Sequence, residues 1–155
     1  TDGERLQRLV TQLSWASQRI MSRQLETFGL TLPQWMTLRA LANSRKPGCT
    51  LNDLADISHQ VPATMTGIIK RLVQRELVER QRNENDRRAL SLCLSAKGAK
   101  LVKEIEELQN LHYESMMSNF TPHERENFLE LMNIYLEQVI CKIELLKSKT
   151  TGTSQ

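Results

Sequence analysis

Four arginines, Arg80, Arg82, Arg87 and Arg88, crowd into the stretch from Leu77 to Ser95. There the runs "LVERQR" and "ALSLCLS" flank the polar "NEND" with partly alternating polarity, the signal of a β-hairpin. So much guanidinium charge on one short ribbon is unfavourable without an anionic partner. The narrow minor groove of DNA, with its enhanced negative potential, is such a partner. Asp86 is placed to hold an arginine in a fixed fork geometry. Ahead of the hairpin, Ala63, Thr64, Thr66 and Gly67 are small or hydroxylic, and Lys70 and Arg71 follow one turn later. Small residues allow close approach to base edges, and cations hold phosphates. Gln60 and Pro62, at the entry to this helix, complete the expected contact set. From Thr31 to Ser95 there are ten Lys/Arg against six Asp/Glu, in a chain whose net charge is +3, so the positive charge is central. Taken alone, the helix would also suit a solvated charged face on a bundle, and the hairpin an ordinary exposed ion pair.

These residues need elements to position them. From Glu4 to Phe28 apolar residues recur every three or four positions, which predicts a long amphipathic helix ended by Gly29. "TLPQ" at Thr31 is a capping box opening a second helix to about Asn43, followed by a turn in "SRKPGC". Thr50 caps a short third helix, "LNDLADIS", with Leu51, Leu54, Ala55 and Ile57 expected to face inward. "HQVP" interrupts it, and a fourth helix runs from about Pro62 to Arg75 on the apolar stripe of Met65, Ile68, Ile69, Leu72 and Val73. After the hairpin, Ser95 caps a helix reaching near Phe120, and "TPHE" from Thr121 opens the last one. "KSKTTGTSQ" reads as a frayed tail. Two helices across a tight turn followed by a hairpin make a winged helix-turn-helix, so the expected fold is mainly α with a small β-hairpin wing.

Other chemistry finds little support. His59, His112 and His123 have no metal-ligand spacing, and neither a Gly-rich phosphate loop nor G-x-S-x-G occurs. No enzyme activity, metal or cofactor is expected, and His59 reads as a turn residue near phosphate. Cys49, Cys93 and Cys141 are far apart and odd in number, as incidental reduced thiols would be. No apolar run approaches the roughly 20 residues of a membrane span, and the first residues are polar where a signal peptide is apolar, so the expected location is cytoplasmic without membrane contact.

The segments "LTLPQWMTLRAL", "LNDLADIS", "PATMTGIIKRLVQRELVER" and "NDRRALSLCLSAKG" together resemble the MarR family of bacterial winged-helix regulators. The resemblance covers roughly Leu30 to Gly98 and, through the flanking helices, nearly the whole chain. It implies one domain over 1–155, with a DNA-binding lobe at 31–95 and dimerisation helices at 4–28 and 121–147. Asp86 would orient Arg88 into the minor groove, and Thr64, Thr66, Lys70 and Arg71 would line the recognition helix; the choice between Arg87 and Arg88 stays open. The chain departs from the family at Glu76, where glycine is usual. A left-handed backbone there would cost about 1 kcal/mol or more.

A two-fold dimer would place two recognition helices roughly 34 Å apart on a palindrome. The apolar faces of the terminal helices exceed what covering the central lobe requires. The expected function is therefore a homodimeric regulator of double-stranded DNA, a repressor released by a small aromatic effector as the resemblance implies. Trp15 and Arg19 on the first helix, with Trp35, Met36 and Arg39 on the second, are the candidate effector wall, against the more ordinary reading of core tryptophans and solvated arginines. Two alternatives stay open: a helical dimeric interaction protein without DNA binding, and a thiol-based redox regulator. No cysteine precedes Cys49, which removes the N-terminal thiol that some relatives use.

Overall fold

The computed structural model describes residues 1–44, 48–58, 60–82 and 90–151. The elements run α1 (Asp2–Glu26), α2 (Leu32–Ala42), α3 (Leu51–Ile57), α4 (Pro62–Gln74), β1 (Val78–Arg82), β2 (Leu90–Leu94), α5 (Ala96–Met117) and α6 (Pro122–Thr151). They form two compact units, Thr1–Glu107 and Leu108–Gln155, with the boundary inside α5.

In the first unit, α2, α3 and α4 enclose a core containing Trp35, Leu38, Leu54, Met65, Ile69 and Leu72, which Leu25 of α1 and Ile105 of α5 join. The capping boxes start the helices where expected. Thr31 Oγ1 accepts from the Gln34 amide while Gln34 Oε1 accepts from the Thr31 amide. Asp53 does the same for Thr50. Pro62 opens α4 behind an extended Val61, as the restriction on pre-proline residues demands.

α1 stops at Glu26 rather than Phe28, because a turn takes over the chain. Gly29 adopts φ 64, the Gly29 amide donates to Glu26 O and the Leu30 amide to Leu25 O, both at 3.0 Å. This is a Schellman ending, and Leu25 and Leu30 on either side of it are both buried.

β1 and β2 pair antiparallel, from Val78 opposite Leu94 to Arg82 opposite Leu90. The sequence reading missed a third participant. Cys49 and Leu92 exchange both backbone hydrogen bonds, at 2.9 and 2.7 Å, so β2 is held on both sides. Gly48 permits the approach: a Cβ there would lie 2.8 Å from that of Ser91.

In the second unit, Thr121 and Glu124 form the expected capping box, and Phe120 stacks on Phe128 with centroids 5.6 Å apart. The hydrogen bonds from Thr121 hold the Glu124 carboxyl below its usual pKa. α6 continues through Thr151, past the expected stop at 147, so the start of the expected frayed tail is helical.

Candidate nucleic-acid interface

α4 is divided lengthwise by burial. Met65, Ile68, Ile69 and Leu72 face the core, whereas Pro62, Ala63, Thr64, Thr66, Gly67, Lys70 and Arg71 are all exposed. The spacing of three and four makes this division inevitable once the apolar stripe is buried. No heavy atom lies within 4 Å of where a Gly67 side chain would begin, so the face is open there. The Thr66 hydroxyl donates to Pro62 O at 2.9 Å, fixing its rotamer while leaving its oxygen free to accept. Gln60 sits half-buried in the turn before α4, its amide bonded to Ala55 O at 2.9 Å.

Ile57 corrects the expected inward set of α3. It is 58% exposed, and Val61 across the same turn is 64% exposed. Leu54 and Ala55 already fill the inward positions of this short helix, so Ile57 falls on the outside. Apolar side chains beside an exposed polar helix face have the chemistry to meet thymine methyls, and only the packing of α3 revealed them.

Arg80 is exposed on β1, and the strand ends at Arg82. The expected wing tip, with Asp86, Arg87 and Arg88, lies outside the described residues, as does His59.

The joint between α4 and the wing is tightly made. Glu76 has φ 60, the left-handed conformation considered for this position from the sequence. The Glu76 amide donates to Val73 O at 2.9 Å and the Leu77 amide to Leu72 O at 3.0 Å, a second Schellman ending. Ser95 Oγ donates to Glu76 O at 2.6 Å and accepts from the Gly98 amide at 2.9 Å. Lys97 Nζ reaches Arg75 O at 2.9 Å and Glu76 Oε2 at 3.3 Å. A Cβ on Gly98 would overlap the Leu77 carbonyl oxygen, so only glycine lets α5 start this close to the wing. Arg75, counted by sequence among the central cations, instead donates to Gly29 O at 2.6 Å and Phe28 O at 2.8 Å.

The candidate effector residues differ widely in exposure. Trp35 is the correction: its ring is wholly buried, because it shares a helix face with Leu38 and Leu41. Trp15 is 63% exposed and Met36 48%. Each arginine lies over the tryptophan of its own helix, Arg19 at 5.3 Å from Trp15 and Arg39 at 5.8 Å from Trp35.

Of the three cysteines, Cys141 is exposed, while the other two are poorly placed for redox chemistry. Burial, and secondarily the Glu79 carboxylate, push the Cys93 thiol up, which depletes the reactive thiolate. Cys49 is buried, its thiol against Ser44 Oγ at 3.2 Å.

A helix-turn-helix presenting one polar, partly cationic face, with a two-stranded ribbon fixed behind it, defines the winged-helix class of DNA-binding folds. Residues 30–90 match the family model described as MarR family. The transcriptional regulator HosA of Escherichia coli O127:H6 is 28% identical over 103 residues, 66% of this chain and 75% of HosA. The HTH-type transcriptional repressor Mb2911 of Mycobacterium bovis is 27% identical over 112 residues, 72% of this chain and 79% of the repressor. Among solved structures, MepR, a transcription regulator of the Staphylococcus aureus multidrug efflux pump MepA, aligns with TM-score 0.76 at 22% identity, covering 84% of this chain and 96% of MepR. A MepR–DNA complex aligns with TM-score 0.67. The matched segment thus resembles the MarR family, and the similar proteins named above are regulators of transcription. None of its described helices is long and apolar enough to cross a membrane.

Proposed function

We propose that the protein is a homodimeric repressor that binds a palindromic operator in double-stranded DNA and leaves it when a small organic ligand binds. The observation that carries this reading is the exposed face of α4, where small and hydroxylic residues lead into Lys70 and Arg71. α4 enters the major groove, and the wing arginines follow the backbone into the minor groove, with Asp86 aiming Arg88. The repressor name of Mb2911 and the MepR–DNA complex support the same direction.

Dimerisation is supported by apolar side chains left in solvent. In the first unit α1 exposes Leu6, Leu9 and Leu13, each 44% or more. In the second, α6 exposes Leu131, Leu136 and Leu146, each 54% or more. A single chain gains nothing from such faces, and a symmetric partner buries them. An aromatic effector remains assigned to Trp15, Arg19, Met36 and Arg39, without Trp35.

A mobility-shift titration on a selected operator at fixed salt tests the reading. Arg88→Ala weakens binding by about 1–3 kcal/mol, and Lys70→Ala lowers the salt dependence by about one phosphate contact. Unchanged affinity for Arg88→Ala would remove the wing from the mechanism. A monomer mass by light scattering at micromolar concentration would remove the dimer.

A further inference from the structure

Among the described side chains from 31 to 95, the large apolar ones left exposed are Met36, Ile57 and Val61. A single exposed apolar residue is ordinary on any protein. Ile57 and Val61 stand apart because they flank one turn, the first as the last residue of α3 and the second as the N-cap of α4. Val61 is extended, with φ −70 and ψ 146, and makes no capping hydrogen bond. N-cap positions favour Ser, Thr, Asp and Asn, whose side-chain oxygens satisfy a free amide of the first turn. Thr31 and Thr50 do this for α2 and α3, accepting from the Gln34 and Asp53 amides. α4 forgoes the cap and holds an isopropyl group in solvent instead. The turn itself is fixed by its backbone: the Ser58 amide donates to Leu54 O at 3.0 Å and the Gln60 amide to Ala55 O at 2.9 Å. A local rule broken without structural gain marks a functional position.

We infer that Ile57 and Val61 read the C5-methyl groups of thymines in the major groove, so that thymine is specified where this turn meets the operator. The inference rests on the proposed DNA-binding role and adds a base preference to it. The N-terminal residues of a recognition helix are those that meet base edges. Of the four standard bases, thymine alone presents a methyl group in the major groove.

The surroundings suit the same occupant. Gly67, with no heavy atom within 4 Å of its missing side chain, leaves the groove room to close on the helix. Exposed Lys70 and Arg71 further along α4 supply charge for phosphates, which leaves discrimination to the apolar pair. A protein partner fits the patch poorly. Two side chains offer a small part of the roughly 1,000 Å² that a specific protein interface buries, whereas one side chain is enough to cover a methyl group.

The test replaces thymine by uracil, which removes the methyl group and keeps the O4 acceptor and the base pair. The full chain first selects an operator from random duplexes. Its affinity for copies carrying deoxyuridine at single thymine positions is then read by fluorescence anisotropy at fixed salt. Uracil weakens binding about fourfold at the thymines beside the turn, the factor for exposing one buried methyl-sized group, and has no effect elsewhere. Ile57→Ala and Val61→Ala each bind the thymine operator about fourfold more weakly and are indifferent to uracil at the position they face. Their salt dependence matches wild type, because no phosphate contact is lost. Neither residue belongs to the buried core, so both variants fold. Val61→Ser separates reading from stability: a restored cap raises the denaturant midpoint, while sensitivity to uracil is lost. Equal affinity with uracil at every thymine overturns the inference and leaves the regulator reading in place. A uracil penalty that persists undiminished in the Ile57 and Val61 variants also overturns it, since other residues then read the methyls. A chain that selects no duplex overturns both readings.

Discussion

The C-terminal ends of α1 and α4 follow one plan and carry different residues at its critical position. Both close with a Schellman turn whose left-handed residue is Gly29 in one and Glu76 in the other, at φ 64 and φ 60. Both are flanked by leucines buried in the same core, Leu25 and Leu30 in one and Leu72 and Leu77 in the other. Glycine takes this conformation freely, whereas a residue with a Cβ is strained by roughly 1–2 kcal/mol. The end of α1 has the Arg75 guanidinium on its carbonyls. The end of α4 has Ser95 and Lys97 on its carbonyls and α5 pressed against Leu77 through Gly98. The more strained turn is thus the more heavily braced, and it is the one that joins the recognition helix to the wing. Strain in a folded chain persists where its surroundings over-determine the backbone.

That contrast is open to attack at three places. The largest effect belongs to Gly98→Ala, which forces the Leu77 backbone away from α5 and destabilises the fold by about 3 kcal/mol, read as a lower denaturant midpoint. Arg75→Ala removes both donors that link α4 to the end of α1, at a cost of about 1–2 kcal/mol. Its signature in hydrogen exchange is faster opening around Phe28–Leu30 than around Leu77. The smallest pair exchanges the two left-handed residues. Gly29→Ala loses about 1 kcal/mol, since its Cβ meets only ordinary contacts and the backbone alone is strained. Glu76→Gly gains about 0.5 kcal/mol, the relief being offset by greater freedom of the unfolded chain. Equal responses at both positions would mean that bracing, not residue type, sets the energy of both turns.

The sequence carried the helices because each has a period and a start signal: Thr31, Thr50, Ser95 and Thr121 all cap where their side chains promise. Gly29 and the odd Glu76 were also legible, one from its residue type and the other from departure against a family pattern. Cys49 was not, since a one-residue bridge has no period to read. Arg75 was counted with the cations because charge says nothing of carbonyls more than 40 residues away that will accept from it. Trp35 shows the opposite case. Its spacing to Leu38 and Leu41 pointed to the core, the reading that its burial bears out over that of an aromatic wall. The α4 face was readable in full, whereas exposed Ile57 depended on packing.

Cys49 bonds to β2 and not to β1, which leaves β1 with one neighbour among the described residues and an open row of backbone groups on its outer side. An open edge invites pairing with another chain, and a flat, apolar one is a route to aggregation. β1 reads Val78, Glu79, Arg80, Gln81, Arg82, charged or polar at every position but the first. The arginines proposed for DNA therefore have a second consequence: they make the outermost strand a poor template for itself, keeping the wing soluble while no DNA covers it.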